Sequence, residues 1–183
     1  AIHTQQEEWR EVVDILNLKA NATTIDEAKI PLYLQAAQVW EEKLGDPDGA
    51  RDSYEKIIAI DGLHDHAFNT LEHLHSEHNR WEPLTEMYIA RLHRYNGTLN
   101  NVVTFLDDYG RAEARRADAD IAAGKYKGPL HGIPWGAKDI ISVKGFKTTW
   151  GSPAFKEQSF DYDASVVEML RDAGAVLIAK VAT

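Results

Sequence analysis

One lysine of this chain has the setting of an amine that could act as a base. Lys138 follows Ala137 and lies one residue before Ile140 and Ile141, and an ionised amine is poorly solvated among such apolar neighbours. A lysine has an ordinary pKa of about 10.4, so burial or nearby cations must lower that pKa before the amine can accept a proton near pH 7. The residues also allow Lys138 to lie at a strand end and pair with Asp139, and by themselves they favour this pairing.

The serines of this region lack the pattern of an activated nucleophile. Ser152 stands in Gly151-Ser152-Pro153, which does not have the G-x-S-x-G frame of a nucleophile elbow. Three further serines have no base beside them in the sequence, namely Ser142, Ser159 and Ser165. A phosphate-binding loop over 132–138 is excluded as well, because Asp139 follows where such a loop needs Ser or Thr.

Histidines form the other group of candidates. Five of them crowd a short stretch: His64, His66, His73, His75 and His78. No carboxylate stands at a metalloprotease spacing such as H-E-x-x-H, so we expect packing and surface roles, with no metal and no organic cofactor. His131, close to Lys138 in the sequence, is expected to position a loop rather than to carry protons.

The elements around Lys138 follow a strand, helix, strand order. Residues 133–141 predict a strand with a proline near its start, where a missing N–H is tolerated. Asp163 is expected to cap a helix that Gly174 ends, and the apolar run 175–181 predicts a buried strand. This order is the unit of a parallel sheet. Because two strands and one helix cannot cover both faces of a sheet, we expect the second strand to present an unpaired edge or an exposed face.

The first half of the chain contains a repeated pair of helices. Segments that start at Tyr33 and at Ala67 align at a period of 34 residues, with apolar positions at i, i+4 and i+7 in each copy. Gly45 overlays Asn79, and both residue types readily adopt the left-handed conformation that ends a helix. The pattern resembles the tetratricopeptide repeat, which implies a surface for a protein or peptide partner. A packing scaffold without a ligand is the alternative.

Two segments resemble the N-terminal part of the amidase signature hydrolases. They are 128–155, GPLHGIPWGAKDIISVKGFKTTWGSPAF, and 163–180. Enzymes of that family use a nucleophilic serine, a second serine held by a cis peptide, and a lysine that acts as a base on the second serine. The resemblance implies that Lys138 is this base and that the substrate is a small-molecule amide. It also implies that the serine pair lies in a later Gly/Ser-rich segment, so we expect a fragment that is inactive by itself.

These observations predict a fold of class α + α/β. An all-helical, tetratricopeptide-like repeat is expected over residues 1–96, and an incomplete α/β amidase-signature segment with parallel strands and a crossover helix over 97–183. The boundary is placed near Gly97 by a turn signal and by a step in charge, from 9 Lys+Arg against 18 Asp+Glu before it to 11 against 11 after it. The function is either hydrolysis or ammonia transfer at an amide in the complete protein, or protein interaction with a degenerate amidase-like segment.

Composition narrows the possible partners. The acidic first half argues against nucleic acid, which needs clustered cations. The absence of cysteine excludes disulfides and thiol catalysis. No apolar run approaches the roughly 20 residues that cross a bilayer, and no secretory signal is visible, so we expect a cytoplasmic protein without a membrane partner.

Overall fold

A computed structural model of the chain describes residues 2–182. The chain folds as two compact units, one that ends at Glu77 and one that begins at His78. The division therefore lies before the boundary that the sequence indicates near Gly97. That residue is inside a helix, Trp81–Leu99, which ends only where Asn100 takes a left-handed conformation with a φ of 49°.

The first unit is helical throughout its regular elements. Its α-helices are α1 (Ile2–Ala22), α2 (Ile30–Val39), α3 (Pro47–Ile60) and α4 (Asp65–Glu77). A short 3-10 segment, Asp26–Lys29, precedes α2, and a π-helical turn, Trp40–Leu44, follows it. Val13 and Leu16 of α1 pack against Ala36 of α2 in one cluster of its buried core.

The turn between α2 and α3 has the conformation predicted from the sequence. Gly45 closes the preceding turn with a φ of 64°, and Asp46 then caps α3 by accepting a 2.9 Å hydrogen bond from the Gly49 N–H. Asn79 also lies in the left-handed region, with a φ of 52°. The helical character predicted for this region is thus confirmed, although the second copy of the predicted repeat is divided, since α4 belongs to the first unit and the Trp81–Leu99 helix to the second.

The second unit combines helices with a small sheet. Its α-helices and strands in chain order are α5 (Trp81–Leu99), β1 (Val102–Phe105), α6 (Asp107–Ala122), β2 (Pro134–Lys138), α7 (Ser165–Asp172) and β3 (Val176–Val181), and a short 3-10 segment, Pro153–Phe155, lies between β2 and α7. The predicted strand, crossover helix, strand order is confirmed, because β2 and β3 are parallel and α7 connects them. Gly124 and Gly174, at φ values of 76° and 82°, follow α6 and α7 as expected for residues that end helices.

The strand order in the sheet is β1-β3-β2, with β1 antiparallel to β3. The expectation that β3 presents an unpaired edge or an exposed face is therefore wrong. The four residues of β1, which the sequence analysis did not assign to a strand, pair with the edge that β2 leaves open. As a result, five of the six β3 residues are buried.

An irregularity in β3 changes which face its side chains occupy. Trp135 pairs with Leu177, but the next residue, Gly136, pairs with Ala179, so Ile178 is an extra residue in β3. A one-residue insertion of this kind is a β-bulge, and it interrupts the alternation of side chains beyond it.

The packing on the two faces of β3 agrees with this shift. Leu177 packs in a cluster with Leu106 and Val167 of α7. Ile178 and Ala179 both belong to the other cluster, which α5 and α6 help to build. The next residue, Lys180, therefore returns to the face that carries Leu177.

The start of α7 differs from the prediction. Ala164, not Asp163, occupies the position before the first helical residue, and no side chain caps this helix. The Asp163 carboxylate instead accepts a 2.8 Å hydrogen bond from the Lys144 N–H and a second one from the Arg171 guanidinium. Asp163 joins α7 to a loop because these two donors compete successfully with the helix N–H groups.

Candidate functional site

Lys138 is the last residue of β2 and its side chain is exposed. The sequence suggested a poorly solvated amine, but buried and exposed positions alternate in this part of the strand, so that Ala137 is buried and Lys138 faces outward. The backbone of Lys138 is well held, since the residue is paired in register with Val181 and its carbonyl accepts a 2.9 Å hydrogen bond from the Ile141 N–H.

The carboxylate of Asp139 pairs with a different lysine from the one that the sequence suggested. Its Oδ1 lies 3.1 Å from the Nζ of Lys180, and both side chains are fully buried. This contact has the distance of an ion pair without the geometry of a good hydrogen bond. The alternative in which Asp139 pairs with Lys138 is thus corrected: the two adjacent side chains leave the strand in opposite directions, one buried and one exposed.

Lys180 is the charged residue that sequence reasoning missed. Its Nζ donates to the carbonyl of Lys147 at 2.9 Å and to the Oγ1 of Thr148 at 3.0 Å, in addition to facing Asp139. Three oxygen neighbours suit an ammonium group, which has three donors and no acceptor. The available signal was a single charged residue within the apolar run 175–181, because a buried lysine needs a partner.

The segment that carries Thr148 and Thr149 completes this group. The backbone N–H of Thr149 donates to Asp139 Oδ2 at 2.9 Å, and its hydroxyl donates to the same oxygen. Thr148 is fixed in turn by Gln158, since the Thr148 N–H donates to the Gln158 carbonyl and the Gln158 side-chain amide donates to the Thr148 carbonyl, each at 2.9 Å. The loop is therefore tied both to the end of β2 and to a later part of the chain.

An exposed aromatic group lies next to this segment. The Trp150 N–H donates to the carbonyl of Asp139 at 3.3 Å, and Trp150 itself has a φ of 55° and an exposed side chain. Its ring contacts Phe155 edge-on at 5.1 Å between centroids. Ser152 follows in a turn that its N–H makes with the Thr149 carbonyl at 3.0 Å.

His131 occupies a buried position in the loop before β2. Its Nδ1 accepts a 3.2 Å hydrogen bond from the Lys127 N–H, which leaves the other ring nitrogen to carry the proton. Burial lowers the pKa of His131, and the nearby charge of Lys127 lowers it further. These contacts support the expected role in holding the loop.

The histidines of the first unit make separate local contacts. His66 Nε2 lies 3.4 Å from the Tyr54 hydroxyl, and His73 lies 3.3 Å from Glu77. Over residues 2–182, no three side chains of the metal-ligating types come together. Within the same range, no helix has the length and apolar character that a membrane span requires.

Lys138 stands at the edge of the sheet where ligands usually bind in α/β proteins. β2 and β3 are parallel, so their carboxyl ends meet at one edge, and Lys138 and Val181 are paired there. Ligands of open α/β sheets bind outside the carboxyl ends of the strands. The exposed amine of Lys138 is therefore available to a ligand at this edge, whereas the amine of Lys180 is enclosed.

Most of the second unit is similar in sequence to known proteins. Residues 83–183 match the profile of the family described as Amidase. The chain is 41% identical over 99 residues to a putative amidase, AmiD, of Mycobacterium tuberculosis, which covers 54% of this chain and 21% of that protein. It is also 41% identical over 97 residues to a chain of the glutamyl-tRNA(Gln) amidotransferase of Methylococcus capsulatus, covering 53% of this chain and 20% of that protein.

Solved structures show the same relation. The native peptide amidase of Stenotrophomonas maltophilia matches with a TM-score of 0.52 and 36% sequence identity, over 55% of this chain and 21% of that one. The chain thus spans about a fifth of the length of the relatives that it matches.

Proposed function

Because the chain belongs to the amidase family, we propose that it forms part of an enzyme that cleaves the carbon–nitrogen bond of a small-molecule amide, with Lys138 as the catalytic base. The observation that carries this proposal is the position of Lys138 within the matched region, exposed at the carboxyl end of β2 on a backbone that is fixed by hydrogen bonds. The substrate is expected to bind at the same edge of the sheet.

The reaction follows the scheme of a serine, a cis-serine and a lysine. In the complete protein, where further parts of the enzyme enclose its amine and keep it neutral, Lys138 takes the proton of a bridging serine, and this serine takes the proton of the nucleophilic serine as its oxygen attacks the amide carbon. The carbon–nitrogen bond then breaks and the nitrogen leaves with a proton that returns through the same relay. Water then hydrolyses the resulting ester and frees the serine, while the released ammonia either leaves as product or passes to an acceptor. Neither serine is assigned to a residue of this chain, so the chain alone is expected to be inactive.

Lys180 is not the base in this scheme, although it is the drier of the two amines. Its charge faces the carboxylate of Asp139 at 3.1 Å, and its donors are directed at two further oxygens. Lys180 has no exposed surface, so a serine from a later segment of the chain cannot reach its amine, and its three N–H positions already face three oxygens.

The test compares variants of the complete protein that contains this chain. Ammonia release is measured over a panel of primary carboxamides for the wild-type protein, for Lys138→Ala and for Lys156→Ala, which removes another exposed lysine of the same unit. Loss of a positioned base lowers kcat/KM by about 10²–10⁴-fold, so this loss is expected for Lys138→Ala. Lys156→Ala is expected to retain wild-type turnover. Wild-type turnover in Lys138→Ala would remove the assignment of the base.

A second function is suggested by the first unit. Its α2–α3 pair and its left-handed Gly45 fit the repeat pattern predicted from the sequence. Residues 1–77 carry 6 Lys+Arg against 16 Asp+Glu, so a peptide partner is expected to be basic. In this function the tetratricopeptide-like helices hold a peptide or protein and the amidase-like segment is degenerate.

Binding measurements on the full chain test this second function. A fluorescent amphipathic peptide of Lys and Leu is titrated against the chain, and a Glu and Leu peptide of the same pattern is the control. Binding of the basic peptide alone, weakened by salt and protecting amides within residues 2–77 from hydrogen exchange, is expected. Equal binding of both peptides, or of neither, would contradict it.

A further inference from the structure

Both backbone groups of Asp139 and its Oδ2 are hydrogen bonded, and its Oδ1 lies at ion-pair distance from Lys180. Its N–H donates to the Val181 carbonyl at 2.8 Å, and its own carbonyl accepts from the Trp150 N–H at 3.3 Å. Oδ2 accepts hydrogen bonds from the N–H and the hydroxyl of Thr149, whereas Oδ1 makes only the 3.1 Å ion-pair contact with Lys180. A residue fixed at so many points also fixes the peptide bond that joins it to Lys138.

The group that holds Asp139 comes from distant parts of the chain. We define the Asp139 cluster as Asp139, Thr148, Thr149 and Lys180. Asp139 and Lys180 are fully buried, as is Thr148. Lys180 reaches the cluster because the bulge at Ile178 turns its side chain to this face of the sheet. The cluster thus depends on sheet register and not only on local sequence.

Burying these two charges costs desolvation free energy, which the contacts within the cluster have to offset. A buried ion pair is often no more stable than apolar residues of the same volume. Here the pair lies at the carboxyl end of β2, with Asp139 directly following Lys138 in the chain. The distinctive effect of the ion pair is on the position of Lys138. The pair fixes the Cα of Lys138 from the C-terminal side, and the pairing of β2 with β3 fixes the same Cα along the strand.

We propose that the Asp139 cluster is a positioning device for Lys138, and that Lys180 and Asp139 affect the reaction through the placement of that amine without touching the substrate. This inference rests on the proposed function of Lys138. A displacement of a catalytic group by about 1 Å can lower the rate about 10²-fold, so release of the cluster is expected to reduce kcat by about this factor while KM changes little.

The experiment uses the complete protein that contains this chain. Lys180→Met and Asp139→Asn each leave a buried group without its partner, and the double variant Lys180→Met/Asp139→Asn removes both charges at nearly constant volume. Each is measured for kcat, KM and melting temperature. Thr149→Val, which removes a single hydroxyl from the cluster, is a milder variant in case the others fold poorly. Lys144→Met, which breaks an exposed ion pair with Asp161, is the control.

A positioning role predicts that stability and rate separate. The double variant is expected to regain the melting temperature that the single variants lose, because no unpaired charge remains, yet kcat is expected to stay about 10²-fold low. Thr149→Val is expected to lower kcat while it lowers the melting temperature less than either single charge variant, because Asp139 Oδ2 keeps the hydrogen bond from the Thr149 N–H, and Lys144→Met is expected to resemble the wild type. A kcat that recovers together with stability in the double variant would show a merely structural role and overturn the inference.

Failure of the proposed function has a different signature. If Lys138→Ala retains wild-type turnover, Lys138 is not the base, and both the function assigned to it and the positioning role fall. If Lys138→Ala is inactive while the double variant has wild-type kcat, the base assignment stands and only the positioning role is overturned.

Discussion

At the residue scale, single side chains and single backbone conformations hold the candidate site in place. The loop before β2 passes the indole of Trp81 at Gly132, which has a φ of 89°, and a Cβ at this position would lie 2.2 Å from the ring. The ring of His131 packs in the same loop against Gly174. Only glycine fits such positions, because both the left-handed backbone and the close approach exclude a side chain.

Gly132→Ala is therefore expected to destabilise the second unit strongly. The left-handed backbone costs about 1–2 kcal/mol for alanine, and overpacking against Trp81 adds about 1–3 kcal/mol. Gly124→Ala is the matched control, since Gly124 also has a positive φ, 76°, but has open space around it. Chemical denaturation of both variants measures the difference, and equal losses of stability would show that the Trp81 contact is unimportant.

The Asp163 carboxylate is expected to make stability depend on pH. Its hydrogen bond from Arg171, with a smaller effect of the Lys144 N–H, holds its pKa below the ordinary value of 3.8. A carboxylate with a lowered folded pKa stabilises the protein above its unfolded pKa, and this stabilisation is lost as the pH falls through the folded pKa. Asp163→Asn is therefore expected to cost about 1–3 kcal/mol at pH 7 and progressively less below about pH 4. Denaturant unfolding at a series of pH values checks this, and a cost independent of pH would contradict it.

At the element scale, contacts between elements supply what local sequence lacks. The first turn of α5 has no side-chain cap of its own, because Arg80 stands at the capping position. Asp118 of α6 takes that role, since its two oxygens accept hydrogen bonds from the N–H groups of Trp81 at 2.8 Å and Glu82 at 3.1 Å. A carboxylate at a helix N-terminus also interacts favourably with the helix dipole.

Asp118→Ala is expected to cost about 1–2 kcal/mol, the usual range for the loss of an N-terminal cap. Asp120→Ala, two residues further along α6, removes a carboxylate that does not cap α5 and is expected to cost less. The two free energies of unfolding are compared, together with hydrogen exchange of the Trp81 and Glu82 amides. Unchanged exchange of these amides in Asp118→Ala would rule out the capping role.

At the scale of the whole molecule, the chain consists of two units with separate hydrophobic cores. The sheet and the clusters around Ile178 and Leu177 involve only residues after His78. A unit with its own core has the internal contacts that independent folding requires.

Residues 78–183 expressed without the first unit are accordingly expected to retain the sheet. Hydrogen exchange of the β3 amides is expected to remain slow, because β1 and β2 cover both edges of this strand. Circular dichroism of the same protein gives an independent measure of its secondary structure. Exchange of the β3 amides at the rate of an unfolded chain would contradict independent folding of this unit.

Features that depend on near neighbours could be predicted from the order of residues alone. Periodicity and turn residues are enough to predict the helices of both halves, the left-handed turns at Gly45 and Asn79, and the parallel order of β2 and β3. No strand was predicted for β1 because four residues are too few to show a clear alternation, although all four are of types enriched in strands.

Which groups meet in space was visible only in the folded chain. Asp139 pairs with Lys180 and not with adjacent Lys138. Successive side chains of a strand point to opposite faces, so Lys138 points away from Asp139, while the bulge in β3 directs the distant Lys180 to the buried face where Asp139 lies. Asp118 caps α5, whereas Asp163 caps no helix. In both cases the outcome depends on which donors other elements bring close to the carboxylate. Such pairings involve residues far apart in the chain, and local sequence does not encode the distance between them.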